Sequence, residues 1–273
     1  MSIKRLLFKN IATILVRTRF SSLFRINQKD FVLRFYPSHA SKVLWLKQYI
    51  PEKRYSQEEQ FFRAYLQTGD VVIDVGANIG FLTLLSSTLV GPTGKVYAFE
   101  PCQKVYKYLQ GNIALNNITN LETFNVALGN ENKTVLLSNN QRKDDHNFIV
   151  SGAAGLKVPM KRLDSIGIEQ DPVALMKIDV EGYEKFVIEG TTQLLQKIQC
   201  IYFETVDSIA ARFGYNSSDL LGILIDNGFE ILEVQDNKAR TVLPDSEWTS
   251  SNLVAVRDIS AFLKRTAFEL CRS

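Results

Sequence analysis

In the stretch ALMKIDVEGYE (Ala174 to Glu184), Lys177, Asp179 and Glu181 alternate with Met176, Ile178 and Val180. Period-2 geometry puts the three charges on one face of an extended run. The run reads as a central parallel strand, which is usually apolar on both faces, and burying an unpaired charge is costly. A functional cleft at the strand's carboxyl end accounts for the charges. The purely structural alternative is a Lys177 to Asp179 ion pair with Glu181 at a helix start, and it can hold for Lys177 while Asp179 still faces a ligand. Glu204, after CIYF, supplies another carboxylate at the end of the following strand.

A second constellation is VVIDVGANIGFLTLLSS (Val71 to Ser87), an apolar run, a small-residue turn and an apolar helix, the layout that commonly holds nucleotide-like ligands. A dinucleotide fingerprint is GxGxxG, whose second glycine lets a pyrophosphate approach the backbone. Here Ala77 and Asn78 follow Gly76, so that fingerprint is absent and the turn fits a ligand without a diphosphate. Gly76 can take the unusual dihedrals of a sharp turn, and Gly80 allows close helix packing. Glu100, 26 positions after Asp74, falls at the carboxyl end of the second strand, where an acid hydrogen-bonds ribose hydroxyls. Pro101 then starts a helix where its missing N–H costs nothing. A surface glutamate near a helix N-terminus is the alternative for Glu100.

The elements that position these residues alternate from about residue 70. Apolar, β-rich runs occur at Val71 to Val75, Val96 to Phe99, Thr123 to Ala127, Ala174 to Val180, Cys200 to Phe203, Phe229 to Val234 and Leu253 to Val256. Helical stretches lie between them at Ile79 to Leu89, Gln103 to Asn116, Glu184 to Lys197 and Ser217 to Asn227. This is the signature of βαβ units and a parallel sheet. Ser56 to Leu66 reads as a helix with a Ser N-cap leading into the first strand. Lys133 to Lys161 breaks the rhythm around a polar centre, Ser138 to Phe148, and reads as a hairpin with a mobile loop.

With 273 residues the chain can bury one substantial core, and the nearly balanced 32 basic and 29 acidic residues leave no overall footprint for nucleic acid. The excess of base is local: Lys4, Arg5, Lys9, Arg17, Arg19, Arg25 and Lys29 precede the first acid, Asp30. That segment reads as a helix packed on the domain with its basic face solvated, or as a membrane-surface or transit-like segment. No apolar run approaches the roughly 20 residues that span a bilayer. Cys102, Cys200 and Cys271 form neither a metal-ligand spacing nor a disulfide framework, so a reducing, cytoplasmic setting is expected, with membrane association through the basic N-terminus as its variant.

Taken together and in this order, VVIDVGANIGF, FEP, NVALGN (Asn125 to Asn130), VPMKRLDSI (Val158 to Ile166), LMKIDVEGYE and Glu189-Gly190 resemble the FkbM family of S-adenosylmethionine-dependent methyltransferases. The resemblance spans roughly residues 55 to 235. It implies an α/β, doubly wound, seven-stranded and mostly parallel sheet of the Rossmann-like class I methyltransferase type, its last strand antiparallel. It also implies S-adenosylmethionine across the strands' carboxyl ends. On this sequence Asp74, Gly76, Asn78 and Gly80 would line the methionine and ribose side. Glu100 would hold the ribose hydroxyls, Val126 and Ala127 would border the adenine, and Asp179 would sit nearest the sulfonium. The chain as a whole is read as a basic extension and lead-in over 1–54, a methyltransferase domain over 55–257 and a C-terminal helix over 258–273.

Methyl transfer from a sulfonium is an in-line displacement, and an alcohol acceptor must also lose a proton. The candidate bases are Asp179, Glu181, Glu204 and, last, His146 on the polar loop. A metal bridging Asp179 and Glu181 is conceivable, but the sequence offers no dedicated ligand set, and none is expected. The resemblance suggests O-methylation of a sugar, glycan, lipid-linked or secondary-metabolite hydroxyl. Asp179-Val180-Glu181-Gly182 departs from the Asn/Asp-Pro-Pro-Tyr-like motif of nucleic-acid amino methyltransferases, so no nucleic-acid partner is expected. Two other classes stay open: an NAD-type dinucleotide-binding oxidoreductase, which would need the missing GxGxxG, and a non-catalytic cofactor-binding module.

Overall fold

From residue 71 onward the alternation of β-rich and 3.6-periodic segments builds one large sheet with helices packed against it. This computed structural model describes residues 3–16, 21–48, 56–139, 147–150 and 155–271. Helix α1 (Ile3–Leu15) precedes the hairpin of β1 (Arg25–Asn27) and β2 (Val32–Arg34), then α2 (His39–Lys47) and α3 (Gln57–Tyr65). The first βα units are β3 (Val71–Val75), α4 (Phe81–Val90), β4 (Lys95–Phe99), α5 (Gln103–Leu115) and β5 (Leu121–Phe124). An insert follows, with β6 (Ala127–Leu128), β7 (Lys133–Leu137), β8 (Ile149–Val150) and β9 (Leu156–Lys161). The chain then returns to the large sheet with β10 (Val173–Ile178), α6 (Glu184–Glu189), β11 (Ile198–Glu204), α7 (Asp207–Ala210), α8 (Ser217–Asp226) and β12 (Glu230–Gln235). It closes with β13 (Lys238–Thr241), β14 (Asn252–Val256), α9 (Ile259–Thr266) and β15 (Glu269–Cys271).

The strand order is β15-β13-β12-β14-β11-β10-β3-β4-β5. From β5 to β11 the neighbours are parallel, and β14 enters antiparallel between β11 and β12. Each of the seven runs expected from the sequence contributes a strand to this sheet, and Leu253–Val256 is the antiparallel one. The sheet is wider than seven, because Asp236 and Asn237 both take positive φ (50° and 61°) and fold β13 back on β12. A two-residue turn of that kind matches the twist of a hairpin, and Arg240 pairs with Glu233 across it at 2.5 Å. β15 then adds parallel to β13. The order reverses at β3, between β4 and β10, which puts a crevice at the carboxyl ends of these strands.

Two expected elements are broken, each for a local reason. The run Thr123 to Ala127 divides after Phe124, where the Asn125 amide donates to the carbonyls of Glu100 and Pro101 (2.8 and 3.0 Å), and Ala127 begins the second sheet, ordered β6-β9-β7-β8. The helix expected over Glu184 to Lys197 stops at Gly190, where a Cβ would lie 2.0 Å from the Gly129 carbonyl oxygen. A 3-10 turn, Leu194–Lys197, follows, and the Asp164 carboxylate accepts the N–H groups of Gln193 and Leu194 before it. The β7–β9 pairing forms the expected hairpin; the centre of its loop, His146 included, lies outside the described residues.

The lead-in is fastened to the βα units by Asn112 of α5 and by Asn116, which caps its C-terminus. Asn116 accepts the Val32 N–H at 2.9 Å and donates to the Val32 carbonyl at 2.7 Å. Asn112 accepts the Arg34 N–H at 2.8 Å and donates to the Ile79 carbonyl at 2.7 Å, so one buried amide joins β2 to the turn after β3. Tyr36 stacks on Tyr108 of α5 at 4.1 Å, above Gly111, where any side chain would strike the Tyr36 hydroxyl. These ties bring α2 over the carboxyl ends of the central strands.

Candidate active site

A cavity of about 400 Å³ opens where β3, β4 and β10 end. Its floor is the turn after β3. Gly76 takes φ +81°, and a Cβ there would lie 2.0 Å from the Asp179 carbonyl oxygen, so only glycine lets the ends of β3 and β10 approach this closely. The Asp179 N–H donates to the Val75 carbonyl at 3.1 Å, which closes the contact. Asn78 also takes positive φ (52°), and its N–H donates to Glu100 Oε2 at 3.0 Å. Glu100 Oε1 accepts the Cys102 N–H at 2.8 Å. Burial pushes the Glu100 carboxyl up to about 7, although both N–H donors and, farther off, the Lys177 ammonium favour its anion. Val126 and Ala127 line the same cavity, with Leu128 and Pro101 beside them. Gly80 does not: it opens α4 at φ +93°, and a Cβ there would lie 2.5 Å from Leu109 Cδ1, so its role is helix packing.

The charged face of β10 turns into this cavity. Lys177 is buried, and its ammonium donates to the Gly76 carbonyl at 2.9 Å and lies 3.5 Å from both Asp74 Oδ1 and Asp179 Oδ2. Burial works against the ammonium, but Asp179, Asp74 and Glu58 outweigh it and raise its pKa. Asp74 is fully buried; Thr83 donates to its Oδ2 at 2.5 Å, while Oδ1 receives no hydrogen bond. The ion pair expected as the structural alternative is therefore present, and it coexists with a half-exposed Asp179 carboxylate that lines the cavity.

The alternation stops at Ile178, so Glu181 reaches the cavity by a different route from Asp179. It sits in a left-handed turn at φ +57°, followed by Gly182 at φ +98°. Glu184 holds that turn: its Oε1 accepts the N–H groups of Val180 (3.0 Å) and Gly182 (3.2 Å), and the Tyr215 hydroxyl lies 3.2 Å from Oε2. Burial raises Glu184 to about 6 against these donors. Glu204 is not among the cavity residues. It lines a separate small void with Gly182, Glu184 and Tyr215, and burial together with the carboxylates of Asp179, Glu184 and Glu181 pushes it up to about 8.

The lead-in supplies the opposite wall, with His39, Ala40, Val43, Leu44 and Lys47 of α2, then Ser56 and Glu58. No sequence motif marked these residues. Glu58 stands in the first turn of α3, where an acid reads as a complement to the helix dipole, so nothing separated it from Glu59. In the structure Glu59 pairs with Arg63 at 3.0 Å, whereas Glu58 faces the cavity. Burial and then the Asp179 carboxylate raise its pKa. Tyr183, Leu137 and Phe148 complete the lining.

These carboxyls make stability depend on pH in a defined direction. Glu184, Glu100 and Glu204 keep a proton in the folded chain up to about 6, 7 and 8, beyond the ordinary 4.5 at which they ionise when unfolded. The folded state binds more protons between those limits, so stability is fullest below 4.5 as far as these groups are concerned and falls as pH rises through 8. The thermal midpoint is expected to be lower at pH 8.5 than at pH 6, and Glu204→Gln to flatten that slope. A rising midpoint over this range would contradict the burial assigned to these groups.

Residues 74–238 match the family model described as the Methyltransferase FkbM domain. Methyltransferase 1 of Beauveria bassiana (strain ARSEF 2860) is 27% identical over 143 residues, 44% of this chain and 57% of that protein. The match thus spans little more than half of that relative's length. Methyltransferase sdnD of Sordaria araneosa is 27% identical over 206 residues, 62% of this chain and 76% of that protein. Among solved structures, Methyltransferase FkbM from Methylobacillus flagellatus KT is 14% identical and superposes with a TM-score of 0.44, over 90% of this chain and 58% of that one.

Proposed function

The chain belongs to the FkbM methyltransferase family, and on that premise we propose that it transfers a methyl group from S-adenosylmethionine to a hydroxyl oxygen of its acceptor. The observation that carries this reading is that Glu100, the Gly76 turn and the Lys177–Asp179 face all line one cavity. The residues fit such a cofactor. Glu100 offers a carboxylate for ribose hydroxyls, and Asp74 Oδ1 is a buried acceptor whose one near cation among the described residues, Lys177, stands at 3.5 Å. Carboxylates outnumber the two lysines of the lining, which suits a cationic ligand. The bound donor supplies an electrophilic methyl on a positively charged sulfur.

The chain's own residues then have to align the acceptor, keep water out and take its proton. Asp179 is the proposed proton acceptor: Lys177 holds it at the cavity edge, and its carboxylate remains half exposed. Glu181 and Glu58 face the same space and are the other candidates, while Glu184 acts by holding the turn that carries Glu181, and Glu204 lies outside the cavity. The α2 wall mixes apolar Ala40, Val43 and Leu44 with His39 and Lys47. We propose an amphipathic acceptor on that account, a sugar, glycan, lipid-linked or secondary-metabolite hydroxyl in preference to a nucleic acid.

Calorimetric titration of the purified chain with S-adenosylmethionine, beside NAD and beside Glu100→Ala, tests the cofactor. The wild type is expected to bind S-adenosylmethionine and not NAD. The variant should bind about tenfold or more weakly, the worth of charged hydrogen bonds. Binding should also strengthen from pH 6 to pH 8, as the Glu100 carboxyl ionises around 7. A folded protein that binds NAD, or one whose donor affinity ignores Glu100, overturns the reading.

A further inference from the structure

We propose that the lead-in formed by residues 3–16 and 21–48 is a docking surface for an anionic lipid bilayer and sets the cavity mouth against that surface. Charge is strongly divided along this chain. Residues 1–48 hold ten of the 32 lysines and arginines and one of the 29 acidic residues, so the remainder is net acidic. Exposed apolar side chains gather on the same stretch. Leu23 is 73% exposed, Ile14 61%, Phe24 41% and Val43 37%, half of the large exposed hydrophobics among the described residues.

Among the described residues, these exposed apolar groups lie on or beside α2. Helix α1 buries Ala12 and Leu15 against the core and packs on α2, leaving Ile14 outward. Phe24 stands edge-on to Trp45 of α2 at 6.1 Å, which props the Leu23-Phe24 step. The Arg25 guanidinium folds back on the carbonyls of Ser22 (2.9 Å) and Phe24 (3.4 Å), so a cation stands beside the apolar pair. Val43 is exposed and also lines the cavity, as do His39, Ala40 and Lys47 of its helix, so the patch runs into the cavity mouth. No helix among the described residues is long and apolar enough to cross a membrane.

Apolar side chains flanked by cations fit the interface of a membrane carrying negative headgroups, where each lysine or arginine adds about fivefold to partitioning. Charge argues against a second copy docking by the same face, since two basic surfaces would meet. The docking assay needs no methyl donor, so its outcome is separate from that of the cofactor titration.

The test is sedimentation of the full chain with vesicles of phosphatidylcholine alone and of phosphatidylcholine mixed with phosphatidylglycerol, at low and high salt. Binding is expected only to the anionic vesicles and to weaken with salt. Leu23→Ser with Phe24→Ser is expected to cut it about tenfold by removing the apolar anchor, with the thermal midpoint checked for folding. Arg25→Glu, which keeps both apolar side chains, should cost about tenfold or more through the reversed charge and the loss of its two carbonyl hydrogen bonds. Absence of the chain from the anionic pellet, or equal binding to both vesicles, overturns the proposal. So does a dimer in light scattering that the Leu23, Phe24 double variant converts to monomer, since a second copy then covers the face.

Discussion

Gly76→Ala is expected to weaken S-adenosylmethionine binding by about a hundredfold or more and to lower the thermal midpoint. The new Cβ would stand 2.0 Å from the Asp179 carbonyl oxygen, and the obstacle is backbone in a paired strand end, which cannot swing aside as a side chain can. The positive φ of +81° adds strain of about 1–3 kcal/mol for any residue with a Cβ. Relief requires β3 and β10 to part, which breaks the Asp179 to Val75 hydrogen bond and shifts the Lys177 ammonium away from the Gly76 carbonyl. Gly214→Ala is the internal control, for Gly214 has a similar φ of +77° with nothing within 4 Å of its would-be Cβ. Calorimetric titration and thermal melts of both variants separate strain from collision. Equal, small losses in the two would show that the close approach of the strands is dispensable.

The second large effect concerns Lys177. Lys177→Met keeps the length of the side chain and removes the charge that two carboxylates face, one of them the fully buried Asp74. Breaking a buried pair by removing one partner costs about 3–5 kcal/mol, because the remaining charge is left uncompensated. Urea unfolding at neutral pH is expected to show a loss of that order. Adding Asp74→Asn to Lys177→Met should restore a good part of it, since the buried charge that faced Lys177 is then removed as well. A loss within about 1 kcal/mol, or no recovery in the double variant, would mean that the Lys177–Asp74 pair contributes little to the fold.

Much of the fold and half of the site can be read from local patterns. The seven runs that became strands of the large sheet are short, β-rich and bounded by turn residues, and their periodicity depends only on near neighbours. Asp74, Gly76, Asn78 and Glu100 follow from the same logic, because a strand, a sharp turn and a following strand place them whatever else the chain does. Asp179 is legible as a charge in an apolar strand. Beyond Ile178 the pattern misleads: alternation puts Glu181 on the face of Lys177, whereas a left-handed turn held by Glu184 delivers it to the cavity. The same limit applies to Glu204, whose place at a strand end is legible but whose side chain turns to the small void beside Tyr215.

The sequence by itself therefore determined the sheet's core, the turn that suits a ligand without a diphosphate, and the family. Only the tertiary structure decided what closes the cavity. His39, Val43, Lys47 and Glu58 carry no local signal, and they reach the site because Asn112 and Asn116, some 80 residues further on, bond the backbone of β2 to α5. A side-chain amide satisfying a distant N–H leaves no periodicity in either segment. The contact exists only once the chain has folded around it.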